Sequence, residues 1–178
     1  MWALLTAAAA FAAPAITCTF SVWRWSNPAA GTASSCEVID LTALPSTVHK
    51  MNDSFPGAYL VTAPCHDVIT LGGAVCNSSA VQGPAGGGCG LPLGTLALNS
   101  TAPLPSDEDG LRIIMQGGAG GRALVYDMVC DKSLPPTAGP SGLVGAHLPI
   151  APPAIAAMTY LITWRTPLAC TKPAPGRE

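Results

Sequence analysis

The seven cysteines are the residues with the clearest capacity for chemistry in this 178-residue chain. They are Cys18, Cys36, Cys65, Cys76, Cys89, Cys130 and Cys170, and no two of them form a Cys-x-x-Cys pair. The three histidines (His49, His66 and His147) lie far apart, so even Cys65-His66 near Cys76 lacks the paired ligand spacing of a zinc site. We therefore predict disulfides in an oxidising compartment, with no metal and no cofactor.

Catalytic motifs are missing from the sequence. It contains neither the Gly-x-Ser-x-Gly turn of a serine hydrolase nor the His-Glu-x-x-His motif of a metalloprotease. Cys65-His66-Asp67 has the residue types of a nucleophilic triad, but consecutive residues do not converge in space as a triad must. The acidic run at residues 107–109 is interpreted as a solvated turn, with calcium as the weaker alternative. We predict that the protein is not an enzyme.

The N-terminus has the features of a secretory leader. An apolar run from Trp2 to Ala13 precedes Ala13-Pro14-Ala15, whose small residues suit a signal peptidase. We predict a signal peptide over 1–15; the alternative is an alanine-rich helix inside the fold. No later run reaches the roughly 18 apolar residues that a transmembrane helix needs. The chain is expected in the lumen of the endoplasmic reticulum, Golgi or endolysosome, or outside the cell.

Charge and glycosylation signals agree with that compartment. The net charge of −2 without a basic stripe argues against nucleic acid or an anionic membrane as a partner. Glycosylation sequons begin at Asn52, Asn77 and Asn99. The hydrophobic fraction of 49% is enough to build a sizeable core.

Short strands separated by turns dominate the rest of the chain. Its 19 glycines and 18 prolines interrupt every window that could form a long helix. Apolar alternation predicts strands at 58–62, 110–116, 122–130 and 158–166, whereas 81–90 and the proline-rich 134–153 are predicted loops. We expect an all-β fold, either a flattened barrel or a sandwich of two antiparallel sheets, held by disulfides.

The final strand, from Met158 to Cys170, resembles the closing strand of mannose 6-phosphate receptor homology domains, a family that includes the autophagy-related protein twenty-seven group. That family's pattern is roughly Cys-x-Tyr-x-Phe-x-Trp-x-Thr-x-x-Ala-Cys. Further segments resemble the family's motifs in the same order: Asp40-Leu41, Ala74-Val75-Cys76, Leu93-Gly94 and Arg122 to Asp131. The resemblance covers residues from about Cys36 to Cys170.

The resemblance implies a mannose site built from glutamine, arginine, glutamate and tyrosine. Arg122 and Tyr160 fall on the matching positions, and the position for glutamine carries Asn77. No Asp or Glu occurs from Leu134 to Thr159, where the glutamate should lie, although Asp131 or the 107–109 turn could substitute. The alternative is that Arg122 is an ordinary surface residue and Tyr160 a core tyrosine.

The resemblance also implies disulfide pairs. Cys130 should bond to Cys170, and Cys65 to Cys36 or Cys18, while Cys76 and Cys89 could close the glycine-rich loop. One family bridge has lost both of its cysteines, so we expect Met158 to pack against the turn at 117–121 in its place.

We therefore predict a single domain. The chain is divided into a signal peptide (1–15), an N-terminal segment (16–35), a receptor-homology β domain (36–172) and a C-terminal tail (173–178). The expected function is recognition or sorting of glycoproteins through a degraded mannose site, with a mannose-bearing glycoprotein or another lumenal protein as partner. The alternative is a non-lectin structural or protein-interaction domain of a trafficking or autophagy membrane protein.

Overall fold

The computed structural model of the protein describes residues 18–27, 32–52, 58–66, 69–71, 74–83, 89–106, 108–146 and 159–173. The predicted signal peptide, Asp107, Met158 and most of the predicted tail lie outside these residues. No α-helix occurs in the described ranges. The strands are β1 (Thr19–Asn27), β2 (Thr32–Asp40), β3 (His49–Asn52), β4 (Ala58–Val61), β5 (Ile69–Leu71), β6 (Ala74–Cys76), β7 (Ala80–Gly83), β8 (Leu91–Ala102), β9 (Gly110–Gly117), β10 (Ala123–Cys130), β11 (Gly142–Ala146), β12 (Thr159–Thr166) and β13 (Lys172–Pro173).

The main sheet contains eight strands in the order β11-β12-β10-β9-β8-β7-β4-β3. Its two end strands, β11 and β3, approach each other, so the sheet curls into a nearly closed barrel. Neighbouring strands are antiparallel except β10 and β12, which run parallel with Leu124 opposite Tyr160. The predicted all-β fold is confirmed in its barrel form.

The core of the barrel follows from strand alternation. In β12 every second residue, including Tyr160, Ile162 and Trp164, is at least 99% buried inside the barrel. The inward residues of β10 and β9 meet them from the other side, among them Tyr126 and Met115. The sequence predicts this arrangement because successive residues from Tyr160 to Thr166 alternate between two chemically different faces of the strand.

All four strands predicted from alternation are present, as β4, β9, β10 and β12. The predicted loop at 81–90 is shorter than expected, since Val81, Gln82 and Gly83 belong to β7. The proline-rich segment contains β11, which lies at an end of the sheet where proline-flanked strands are tolerated.

A second sheet covers part of the barrel. In it β2 pairs with β1 on one side and with β13 on the other, all antiparallel. Phe20, Ile39 and Leu41 pack into the main core. Residues 19–27 of the predicted N-terminal segment therefore form β1 and pair with β2.

Three disulfides join these elements: Cys18–Cys65, Cys76–Cys89 and Cys130–Cys170. The predicted disulfide-stapled fold is confirmed, and the Cys130–Cys170 bond agrees with the pairing that the resemblance implies. Between the two partners left open for Cys65, the structure selects Cys18. The seventh cysteine, Cys36, has a side chain outside the described part of the structure. Because the other six are bonded in pairs, no cysteine of the same chain remains for it.

Candidate functional site

Tyr160 lies at the end of the barrel where β12 begins. Its ring is 99% buried, as its inward position in the alternating strand predicts. The hydroxyl is oriented toward β7, where it donates a hydrogen bond of 3.3 Å to Oε1 of Gln82. Tyr160 therefore combines a core position with a polar group directed across the barrel end.

Gln82 connects two tyrosines. Its neighbours in the sheet are Tyr59 on β4 and Leu91 on β8. The amide Nε2 donates a 3.0 Å hydrogen bond to the Tyr59 hydroxyl, while Oε1 accepts from Tyr160. The two aromatic rings are tilted against each other with centroids 5.5 Å apart. We call Tyr59, Gln82 and Tyr160 the tyrosine–glutamine cluster.

Arg122 occupies the same end of the barrel. It has extended backbone angles immediately before β10, and Ala123 stands opposite Thr159 in the parallel pair. Strand alternation puts Arg122 on the inward face shared with Leu124, whose register partner is Tyr160. Arg122 and Tyr160 therefore belong to the same barrel end and the same sheet face.

The turn before β10 holds the Arg122 guanidinium. Nη1 donates a 2.6 Å hydrogen bond to the carbonyl of Ala119, and the backbone of Gly118 bonds to the Arg122 carbonyl. Nε is buried and has no hydrogen-bond partner among the described residues. Gly120 has φ of 64°, and a Cβ there would lie 3.0 Å from Nη1, so glycine allows the turn to close over the side chain.

The amide that meets Tyr160 is on Gln82, not Asn77. Asn77 is exposed and lies directly after β6, five residues before Gln82 in the sequence. The prediction for Asn77 rests on its position after Val75-Cys76, and the predicted loop at 81–90 includes Gln82. A signal for Gln82 was available, because the chain has just two glutamines and the implied site requires one.

Apolar side chains border the cluster. Met51 stands opposite Tyr59 in the sheet and packs against the core. Leu91 stands opposite Gln82, and 43% of its surface is exposed. The backbone passes close to Gln82 at Gly90, where φ is 51° and a Cβ would lie 2.3 Å from the Gln82 carbonyl oxygen. This close approach requires glycine.

The carboxylates proposed as substitutes belong to the opposite end of the barrel. Asp131 follows β10, its backbone amide bonds to Thr166 at the far end of β12, and its carboxylate accepts from Ser133. Asp109 accepts from Thr171, and Glu108 pairs with Arg165. Asp107 is outside the described residues. Within those residues, the site at the Tyr160 end thus has phenols, an amide and a guanidinium.

The described residues give no support to a metal site. Asp109, Cys130 and Cys170 come within ligand distance of one another, but the two sulfur atoms are bonded together and do not offer thiolates. Cys65 is bonded to Cys18, and Nε2 of His66 lies 3.1 Å from the carbonyl oxygen of Leu44.

Two of the three glycosylation sequons have asparagines whose side chains can be located. Asn77 and Asn99 are both exposed. In the sequon of Asn99, Ser100 and Thr101 are also exposed, whereas Ser79 in the sequon of Asn77 is buried and bonds to Met115. Asn52 ends β3, and its side chain lies outside the described part of the structure.

Three disulfides indicate an oxidising, lumenal or extracellular environment. Within the described ranges, the chain forms no helix with the length and apolar character needed to cross a membrane. No protein-family model matches the sequence, and no curated protein matches it.

Proposed function

We propose that the protein is a lumenal recognition domain for mannose-bearing glycoproteins, acting in their recognition or sorting in the secretory or endolysosomal pathway. The observation that carries this proposal is the meeting of Tyr59, Gln82 and Tyr160 at the barrel end that also holds Arg122. Residues distant in sequence thereby supply hydroxyl, amide and guanidinium groups to one place.

The chemistry suits a neutral polyhydroxylated ligand. The Tyr59 and Tyr160 hydroxyls and the Gln82 amide both donate and accept hydrogen bonds, as sugar hydroxyls do. Arg122 adds a fixed fork of donors, and its buried Nε has no partner among the described residues. The apolar side chains of Met51 and Leu91 would pack against the carbon-bearing face of a sugar ring.

We expect the affinity to be weak because no carboxylate joins the cluster among the described residues. A hydrogen bond to a charged group contributes about 1.5–3 kcal/mol, and a carboxylate accepts from two sugar hydroxyls at once. Losing it lowers affinity by roughly tenfold or more per bond. Mannose 6-phosphate should therefore bind weakly or not at all.

A glycan array and calorimetry on the chain with its native disulfides test this function. We expect weak binding to terminal mannose that Arg122→Ala removes and Arg165→Ala leaves unchanged, since Arg165 pairs with Glu108 elsewhere. A dissociation constant in the low micromolar range or tighter that Arg122→Ala abolishes would contradict the degraded site.

The second candidate is a non-lectin protein-interaction or structural domain of a trafficking or autophagy membrane protein. The mutual hydrogen bonding of Gln82 with both tyrosines favours it, because groups that satisfy each other can serve the fold alone. In that case no glycan binds, and Tyr160→Phe lowers stability without any change on the array.

A further inference from the structure

At the opposite end of the barrel, a half-buried histidine contacts a loop that lies against β12. We call residues 131–141, between β10 and β11, the end loop. The Trp164 indole donates a 2.7 Å hydrogen bond from Nε1 to the Ala138 carbonyl. The Ser141 amide bonds to the Thr163 carbonyl at 2.8 Å. These two bonds hold the end loop against β12.

His49 lies beneath this loop. Its ring meets Trp164 edge to face, with centroids 5.5 Å apart. A Cβ built on Gly139 would lie 2.6 Å from Cε1 of His49, so the loop backbone rests directly on the imidazole. Nε2 is buried and has no hydrogen-bond partner among the described residues. In the described part of the chain, a proton on that nitrogen therefore has no acceptor.

Among the residues that the structure describes, the surroundings of His49 offer no charge to stabilise an imidazolium. The ionisable groups on the elements around it are Lys50 on β3, Tyr59 on β4, Tyr160 and Arg165 on β12, and Asp131 and Lys132 in the end loop. Burial lowers the pKa of His49 below its ordinary value, and none of these groups offsets the effect. Asp131 is engaged with Ser133, and Arg165 with Glu108.

We propose that His49 is an acid-sensitive latch, in which a proton taken up at Nε2 releases the end loop from the barrel. The direction of the pH dependence follows from the coupling between protonation of His49 and closure of the loop. Because the closed form holds the pKa below about 6.5, the ordinary value, closure is fully favoured above that pH and weakens as the pH falls below it. The latch therefore stays closed at neutral pH and loosens in an acidified compartment. It does not depend on the proposed glycan site.

Hydrogen exchange of the wild-type chain, followed by NMR at pH 7.5 and 5.0 and corrected for intrinsic rates, tests the latch. We expect the Trp164 indole N–H and the Ser141 amide to lose protection by at least tenfold at pH 5.0. Amides in the β9–β10 ladder should remain protected, which separates loop release from global unfolding. His49→Phe keeps a ring under the loop and should abolish the pH effect, whereas His66→Gln should preserve it.

A second readout needs no variant. The Cε1 proton of His49 and the end-loop amides should titrate with one common midpoint. Equal protection of the Trp164 indole at both pH values overturns the proposal. So does a titration of the end-loop amides that follows a midpoint other than that of His49.

Discussion

At the scale of single residues, the outer face of the barrel carries a well-formed ion pair between β9 and β10. Arg112 on β9 stands opposite Asp127 on β10, and the guanidinium makes two hydrogen bonds of 2.6 and 2.7 Å to the carboxylate. Both side chains are more than 80% buried. Hydrogen bonding to Asp127 raises the pKa of Arg112 above its ordinary value, so the guanidinium stays charged.

We predict that Asp127→Asn lowers the free energy of unfolding by about 1–3 kcal/mol. The substitution keeps the shape but leaves a mostly buried guanidinium without its counter-charge. Glu108→Gln is the matched control, because Glu108 and Arg165 form an exposed pair that should contribute less than about 1 kcal/mol. Urea unfolding measures both, and equal losses in the two variants would contradict this account.

At the same scale, the resemblance implies Tyr160 and Arg122 as residues of the candidate site. Strand alternation indicates the face that each residue occupies, and the parallel β10–β12 register brings the starts of the two strands together. Gln82 was missed because the glycines and prolines after it indicate a loop. Only the tertiary pairing of β7 with β4 turns that segment into a strand and directs its amide toward Tyr59.

At the scale of elements, β9 begins at a position that requires glycine. Gly110 has φ of 140°, which side chains rarely adopt, and it stands opposite Val129 of β10. A Cβ on Gly110 would lie 2.0 Å from the carbonyl oxygen of Met128. The β9–β10 ladder can therefore start here only because Gly110 has no side chain.

We predict that Gly110→Ala lowers the free energy of unfolding by roughly 2 kcal/mol or more, because it combines backbone strain with a clash against backbone. Gly142→Ala is the matched control within another strand, since no atom lies within 4 Å of the position where its Cβ would be. Thermal unfolding of both variants checks this. A neutral Gly110→Ala would contradict the assigned register of β9 on β10.

The elements that sequence predicts best are those with their own alternation. β4, β9, β10 and β12 each carry enough β-branched and aromatic residues to be recognised alone. β11 lies between prolines and is stabilised by its pairing with β12 instead. β1 and β2 form a hairpin whose stability depends on packing of Phe20 and Ile39 against the barrel, which no local pattern reveals.

At the scale of the whole molecule, disulfides join distant parts of the chain. Cys130–Cys170 closes a separation of 40 residues and fixes the end of β10 to the segment after β12. Cys76–Cys89 closes a separation of 13 residues around the β7 strand. The longer loop restricts the unfolded chain more, so its bond should stabilise the fold more.

We predict that the double substitution Cys130→Ala/Cys170→Ala lowers stability by about 4 kcal/mol, against about 3 kcal/mol for Cys76→Ala/Cys89→Ala. Denaturant unfolding compares the two variants under non-reducing conditions. Peptide mapping of the wild-type chain is the independent check on connectivity. A free thiol at Cys130 or Cys170, or a bond between Cys76 and Cys170, would contradict the whole layout.

The proposed function requires the barrel end with Tyr160, Gln82 and Arg122 to act as one glycan site. An NMR titration with methyl α-mannoside tests it most directly, with the Gln82 side-chain amide and the Arg122 Nε–H as reporters and the exposed Asn77 amide as control. We predict that the first two resonances shift along one saturation curve in the millimolar range while Asn77 stays unchanged. Shifts at Asn77 without Gln82, or no shift at Gln82 and Arg122 at saturating sugar, would contradict the account.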